Sequence, residues 1–314
     1  MISEKEYREE KEEFKKKYRE EQFYRQSIIL INDFINNTLN GEIERLKTYY
    51  FDDLKGNLKY SYPKCENISG WIFDCDDTVL ARAIYCVIWG YIFELKVDNI
   101  GPWNKKTGKK IYRGDTMNSF NTLFGNSNSG IFAYRARFYG LDEDIAIWQN
   151  IIRFRYKYHT IGNFIVIPNK GNINGVRGRK LKDYFDLFLL DIYEYKKNNV
   201  CKLKEQFDKN SFYKDFSMNS IKEIFFLEDY FKGEIPKEFI NTSKDARYKI
   251  TRSKEERIKR EKSKGKIDYF LEEEYKKLVH SYLAKSEQVI DNRADKIIKI
   301  LKDELEVSLK IGIL

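Results

Sequence analysis

The chain has 314 residues and a formal net charge of +9, from 58 Lys and Arg against 49 Asp and Glu. Hydrophobic residues form 42% of the chain, which excludes a wholly disordered protein, and no apolar run approaches the roughly 18 residues of a membrane-spanning helix. The start of the chain is charged with both signs and lacks the apolar stretch of a secretion signal. We therefore expect a globular, cytoplasmic protein with no membrane contact.

The element pattern predicts an α+β fold that is predominantly helical. Residues 1–56 are predicted to form an N-terminal helical extension. Residues 3–25 are rich in both acidic and basic side chains and carry only a thin apolar stripe, a pattern typical of an exposed helix. The apolar stretch Ile28–Leu39 is expected to dock this extension onto the rest of the protein.

Residues 57–240 are predicted to form a central α+β domain, because aromatic residues, glycine turns and short β-prone runs replace the charged pattern. The apolar run Phe164–Ile167, which ends at Pro168, predicts a strand. Apolar residues at helical spacing within Lys182–Tyr195 predict an amphipathic helix.

Residues 241–268 are predicted to be a basic linker. Within it, residues 244–266 hold eleven Lys and Arg against four Asp and Glu, so +7 of the net charge of +9 lies there. Such a segment is typical of a contact with nucleic acid or with an acidic protein partner, although a solvated linker has the same composition. The residues predicted to contact nucleic acid are Arg247, Lys249, Arg252, Arg257, Lys259 and Arg260.

Residues 269–314 are predicted to form a C-terminal amphipathic helix. Its apolar residues recur every three or four positions, without the strict heptad of a coiled coil. The pattern suits packing against the core or against a partner helix, so assembly into an oligomer through this helix stays open.

The acidic string Asp74-Cys75-Asp76-Asp77-Thr78 follows the short apolar run Trp71-Ile72-Phe73. It resembles the first motif of haloacid-dehalogenase-type phosphatases, in which two aspartates lie beside a bound Mg²⁺. The later motifs of that family have no ordered counterpart in this chain. The alternative is an acidic loop in which Asp76 or Asp77 caps a helix that begins near Val79.

Arg153 precedes His159 by six residues, and this spacing resembles the Arg-x(4–6)-His signature of HEPN ribonucleases. In that family the arginine and the histidine act together on RNA. A basic residue near the end of a helix is also favoured by the helix dipole without any catalytic role. The sequence leaves both interpretations of His159 open.

Arginine precedes glycine at Arg113-Gly114 and at Arg177-Gly178, and asparagines lie near them at positions 163 and 174. Glycine lets the backbone approach a ligand closely, and the planar guanidinium binds phosphate at two points. We therefore predict Arg113, Asn163, Asn174 and Arg177 as ligand-binding residues. Internal ion pairs of these arginines would give the same sequence pattern.

Three strings of the central region occur together: Tyr158–Pro168, Ile173–Gly178 and Asp183–Leu187. With Phe225–Asp229 further on, they resemble a bacterial domain family of unknown function, and the resemblance covers about residues 70–231. The resemblance implies that the acidic string at Asp74 belongs to this domain, and it implies no activity. This chain departs from the family pattern at His159, which interrupts a Tyr-Thr-Ile-Gly core, and at Asn163, which replaces a glycine.

We expect a protein that binds or acts on a phosphorylated ligand, either nucleic acid or a nucleotide. If it is an enzyme, Asp74, Asp76 and Asp115 would hold Mg²⁺ or Mn²⁺ and, with His159, form the catalytic set. The alternative is a non-enzymatic interaction module that uses the basic segment and the terminal helices. A HEPN-like ribonuclease and a haloacid-dehalogenase-type phosphatase are lesser alternatives.

Overall fold

The computed structural model describes residues 1–51, 78–95, 111–116, 145–181, 185–237 and 273–314. The chain folds as a mainly helical α+β protein. The helices, labelled in chain order, are α1 (Glu4–Glu9), α2 (Lys11–Arg19), α3 (Gln22–Thr38), α4 (Val79–Phe93), α5 (Ile145–Tyr158), α6 (Ile173–Leu181), α7 (Phe185–Asn198), α8 (Lys204–Asp208), α9 (Ser211–Asp215), α10 (Met218–Phe225) and α11 (Glu273–Lys310). The strands are β1 (Ile111–Asp115), β2 (Phe164–Pro168), β3 (Phe231–Lys232) and β4 (Ile235–Pro236).

The charged N-terminal segment forms two short helices, α1 and α2, where the sequence predicted a single exposed helix. A capping box at Ser3, in which Glu6 returns a hydrogen bond, starts α1. Tyr7 is buried, so α1 lies on the core. The predicted docking stretch is confirmed, because α3 buries Ile28, Ile31 and Phe34 along one face.

Helix α4 is buried along its whole length and lies at the centre of the fold. Its N-cap is Thr78, whose Oγ1 accepts a hydrogen bond from the backbone N–H of Ala81 at 3.0 Å. The expectation that Asp76 or Asp77 caps this helix is therefore wrong. A threonine hydroxyl performs the same task as a carboxylate there.

The strands form two antiparallel ribbons. In the first, β1 pairs with β2 in a register that places Asp115 opposite Phe164 and Ile111 opposite Pro168. The predicted strand at Phe164–Pro168 is confirmed, and every one of its residues is buried. The second ribbon is the short hairpin of β3 and β4.

The predicted C-terminal helix is confirmed as α11. Its apolar stripe packs against the chain's own core, where Ile290, Ile297 and Leu301 are fully buried. Burial of each such side chain contributes roughly 1.5–3 kcal/mol, which explains the firm docking of this helix. Assembly through these three residues would require them to leave the core.

Buried residues from the N-terminal, central and C-terminal segments belong to one hydrophobic core, for example Ile28, Trp89, Phe164 and Ile297. The segment boundaries at 56, 240 and 268 stay predictions, because each falls outside the described residues. None of the helices in the described ranges has the length and apolar character needed to cross a membrane.

Candidate functional site

The β1–β2 ribbon brings Asp115 and Asn163, two of the predicted site residues, to the same end of the sheet. Asp115 ends β1 opposite Phe164, the residue after Asn163. The backbone N–H of Thr116 donates to the carbonyl of Asn163 at 2.8 Å, and Thr116 Oγ1 donates to Asn163 Oδ1 at 2.9 Å. The two sequence positions, far apart along the chain, are neighbours in the fold.

The amide of Asn163 is engaged inside the protein. Its Nδ2 donates to the carbonyl of Tyr158 at 2.8 Å, and the side chain is fully buried. Tyr230 extends the network, because its hydroxyl donates to Thr116 Oγ1 at 2.6 Å. Burial raises the pKa of the Tyr230 hydroxyl to about 12, so it stays protonated as a donor. These contacts favour a structural role for Asn163, and its role in ligand binding stays a prediction.

Asn174 and Arg177 lie beyond the other end of β2 and contact each other. Arg177 Nη2 donates to Asn174 Oδ1 at 2.9 Å, and the guanidinium lies 5.5 Å from the centre of the Phe188 ring. The backbone N–H of Asn174 donates to Asn169 Oδ1 at 2.8 Å, which holds the turn before α6. The side chain of Arg177 is buried, so its charge lies beneath the surface of α6.

The predicted ligand-binding residues therefore occupy separate places along the ribbon. The strand β2 has five residues, so its two ends are about 13 Å apart. Asn163 lies at the first end, Arg113 is opposite Val166 in the middle, and Arg177 follows the second end. Arg177 lies on α6, after the turn that follows β2, so the ribbon alone does not determine its distance from Asp115, and a shared ligand site stays a prediction.

His159 and Arg153 have different neighbours in the fold. His159 is the first residue after α5 and is buried, with its ring edge-on to Tyr50 and Tyr158. Arg153 makes a two-point ion pair with Glu287 on α11, with both N···O distances at 2.9 Å. This pairing raises the pKa of Arg153 and engages its guanidinium. The contacts give both residues structural surroundings, and the ribonuclease interpretation gains no support from them.

The predicted metal ligands Asp74 and Asp76 lie outside the described residues, and for Asp115 the structure gives the backbone position at the end of β1. Among the residues that the structure describes, no three His, Cys, Asp or Glu side chains are placed to hold a metal ion. The side chains of all three predicted ligands thus lie outside what the structure describes. The Mg²⁺ or Mn²⁺ site and the phosphatase alternative stay predictions.

Helix α11 carries charges that are paired with other elements. Arg19 pairs with Glu304 at 2.8 Å, Lys47 with Asp295 at 2.7 Å and Lys296 with Glu228 at 2.5 Å. Lys157 and Lys302 form further ion pairs with Asp291 and Glu44. The folded core thereby neutralises much of its own charge between elements.

The basic segment lies between two anchored elements, and its predicted contact residues fall outside the described ranges. On one side, Lys237 donates from its backbone N–H to the carbonyl of Tyr230 at 2.7 Å. On the other side, α11 is fixed near the same hairpin by Asn292, whose Nδ2 donates to Asp229 Oδ2 at 3.1 Å. Glu273, the first residue of α11, precedes Asn292 by nineteen positions, about 28 Å along a helix. Glu273 is thus far along α11 from Asn292, the residue that contacts the 3-10 turn before the β3–β4 hairpin.

Three exposed lysines that the sequence did not single out lie around α6 and α8: Lys170, Lys180 and Lys202. For Lys180 a signal exists in the sequence, since Ile173–Leu181 contains three basic residues and no acid. Their positions at 170, 180 and 202 are too widely spaced to be recognised as one group without the fold.

No protein-family model, curated protein sequence or solved structure matches this chain. The resemblance to a bacterial domain family of unknown function stays a prediction, and function has to be inferred from the chain's own charges and contacts.

Proposed function

We propose that this chain is a nucleic-acid-binding protein in which residues 244–266 contact phosphates from a folded helical core. The observation that carries the proposal is the partition of charge. Residues 244–266 hold +7, and the other 291 residues hold 47 basic and 45 acidic side chains, a charge of only +2. Phosphate contacts by lysine and arginine supply most of the affinity of sequence-independent binding to nucleic acid.

The ion pairs of the core support this assignment. Along α11, acidic and basic side chains find partners on neighbouring elements, as in Arg153–Glu287 and Arg19–Glu304. The core can therefore present the basic segment without adding strong general attraction of its own. The anchored hairpin at Lys237 and the docked α11 hold the flanks of the segment to the same folded body.

The segment's composition also defines how selective such binding would be. Tyr248 is its only aromatic residue, so base stacking contributes little. Contacts with the sugar-phosphate backbone position a protein but do not read bases. We therefore expect weak sequence preference and a strong dependence of affinity on salt.

The test compares the unmodified chain with a variant in which Arg247, Lys249, Arg252, Arg257, Lys259 and Arg260 are all changed to Gln. Affinity for a fluorescent duplex of about 20 base pairs, two helical turns, is measured by anisotropy. The salt series runs from about 50 to 200 mM KCl. With six phosphate contacts, the slope of log affinity against log salt should fall in magnitude by up to about 5.

A matched control changes six exposed basic residues of the core to Gln, namely Lys5, Lys16, Lys17, Arg25, Lys232 and Lys299. The net charge then falls equally in both variants. A difference between their salt slopes therefore reports a specific role of residues 244–266. Equal slopes for the two variants would overturn the proposal. Binding to polyglutamate with none to the duplex would instead establish the alternative, an acidic protein partner.

A further inference from the structure

The edge of the fold between α6 and α8 presents three exposed lysines. Lys170 lies in the turn between β2 and α6, Lys180 near the end of α6, and Lys202 just before α8, and all three are exposed. Within the part of the chain that the structure describes, none of the three ammonium groups lies within ion-pair distance of a carboxylate. The neighbouring Lys204 and Lys209 are paired with Asp208 and Glu205.

Contacts at both ends of α6 show that these lysines belong to one edge. Lys180 Nζ donates to the carbonyl of Lys202 at 2.7 Å, which joins the end of α6 to the start of α8. Beyond the other end of α8, Asn210 Nδ2 donates to the carbonyl of Lys170 at 3.1 Å. A Cβ placed on Gly171 would lie 3.0 Å from the carbonyl of Gln206, within α8. The edge therefore consists of the turn at Lys170 and the helical stretch from Ile173 to Lys180, which is about 10 Å long at the helical rise.

The acidic residues of α8 and the neighbouring Asp191 are already engaged. Glu205 pairs with Lys209 at 2.6 Å, and Asp208 pairs with Lys204 at 3.0 Å. Asp191 accepts the backbone N–H groups of Lys202 and Leu203 at 2.9 and 2.8 Å. These carboxylates therefore have other partners, and Lys209, with a smaller contribution from Lys180, lowers the pKa of Glu205.

We propose that this edge, defined by Lys170, Lys180 and Lys202, is a second contact with the phosphodiester backbone of a nucleic-acid duplex. The inference rests on the proposed function and extends it to the folded core. Phosphates recur every 3.4 Å along one strand, so the helical stretch of about 10 Å faces about three of them. The lysines lie at separate points, Lys180 on α6 and the other two in the turns before α6 and α8, which suits a ligand with a regular backbone.

The aromatic residues at this edge favour a duplex over a single strand as the ligand. Phe188 and Phe207 lie under α6 and α8 and are buried. Bases of a single strand bind such proteins mainly by stacking on exposed aromatic rings. Because the described rings here face the core, the edge offers phosphate contacts without a stacking surface.

The test uses the full chain with Lys170, Lys180 and Lys202 all changed to Gln, and the same fluorescent duplex and salt series. Loss of three phosphate contacts should lower the magnitude of the salt slope by up to about 2.7, and affinity at about 0.1 M salt should fall at least tenfold. The matched control changes three exposed core lysines, Lys16, Lys17 and Lys299, to Gln. The control should change affinity by less than about threefold, because Lys16, Lys17 and Lys299 contribute to the net charge of the core but lie outside the edge. Duplex DNA and duplex RNA of one sequence are both used, because both present the same backbone chemistry.

A double variant, K170Q/K202Q, guards against misfolding, because neither ammonium group has an ion-pair partner among the residues that the structure describes. It should retain the far-ultraviolet dichroism of the unmodified chain and lose part of the affinity. If both edge variants bind the duplex as tightly as the control variant does, the proposed contact at the edge is overturned. The proposed contact of residues 244–266 is unaffected by that result. Absence of any duplex binding by the unmodified chain would overturn the proposed function itself. Equal losses on a single strand of the same length would overturn the preference for a duplex.

Discussion

Arg293 on α11 donates from Nη1 to the backbone carbonyl of Gly162, just before β2, at 2.7 Å. The same guanidinium donates to the carbonyl of Phe164 at 2.5 Å and, from Nε, to the carbonyl of Phe225 at the end of α10 at 2.8 Å. Arg293 is 1% exposed, and burial lowers its pKa to about 10, so it remains charged at neutral pH. One buried cation therefore joins α11, the start of β2 and the end of α10.

Replacement of Arg293 by Met should lower the free energy of unfolding by at least about 3 kcal/mol. The substitution leaves three buried carbonyl groups without this donor, and each such loss costs about 1–3 kcal/mol. Urea unfolding followed by circular dichroism measures the change. The control is K299M, on the exposed side of the same helix, which should change stability by less than about 0.5 kcal/mol. A similar small effect of R293M would show that the three contacts do not determine the docking of α11.

Replacement of Gly162 by Ala should separate α11 from the turn before β2. A Cβ at position 162 would lie 2.0 Å from the carbonyl oxygen of Ile290 and 3.0 Å from the Cβ of Ala294. Since the nearest atom belongs to the helix backbone, the helix has to move, and we expect a loss of about 2 kcal/mol or more. Urea unfolding of G162A is compared with that of N36A, an exposed change on α3. Unchanged stability in G162A would contradict the close approach of the two backbones.

The buried pair of Arg19 and Glu304 should show strong coupling between its partners. Glu304 accepts from Arg19 at two points, both 2.8 Å, and from the hydroxyl of Tyr24 at 2.7 Å. Burial opposes ionisation of Glu304, but the hydrogen bonds from Arg19 and Tyr24 lower its pKa overall. Removal of one partner from such a pair leaves a buried charge and costs about 3–5 kcal/mol.

A double-mutant cycle tests this coupling with R19M, E304L and the variant that carries both changes. The double variant should be more stable than either single variant, because no unpaired charge remains in the core. The exposed pair Lys310–Glu306 is the control and should give less than about 1 kcal/mol of coupling. Additive effects of the two changes at Arg19 and Glu304 would contradict the prediction.

Glu4 should make the docking of α1 sensitive to acid. Its carboxylate accepts from the Ser217 backbone N–H at 2.9 Å and from the hydroxyls of Ser217 and Ser220 at 2.7 and 2.6 Å, at the start of α10. Burial alone would raise the pKa of Glu4, but these hydrogen bonds and Arg8 outweigh it and lower the pKa from 4.5 to about 2. A carboxyl whose pKa is lower in the folded state stabilises the fold above its unfolded pKa, and that stabilisation is lost as the pH falls through its folded pKa.

The variant E4Q should therefore lose about 1 kcal/mol of stability at neutral pH, as expected for a helix cap. The difference between the unmodified chain and E4Q should shrink as the pH falls from 4.5 towards about 2. Urea unfolding at a series of pH values measures it, with the exposed Glu9 changed to Gln as the control. A difference that stays constant across this pH range would show that the charge of Glu4 plays no part.

The sequence by itself determined the elements whose pattern is local. The strand at Phe164–Pro168 follows from a short apolar run that ends at proline, and α11 follows from apolar residues every three or four positions. The concentration of charge in residues 244–266 is likewise a property of composition alone. Such signals depend on neighbouring residues, so no knowledge of the fold is required to recognise them.

Only the tertiary structure decided which distant residues meet. The pairing of Asn163 with Thr116, the three carbonyls around Arg293 and the edge formed by Lys170, Lys180 and Lys202 join positions far apart along the chain. A buried arginine and an exposed one have the same sequence signal, because burial depends on what packs above them. For the same reason the sequence does not show the contacts of the predicted ligand residues: Asn163 contacts Thr116, and Arg177 contacts Asn174 and Phe188.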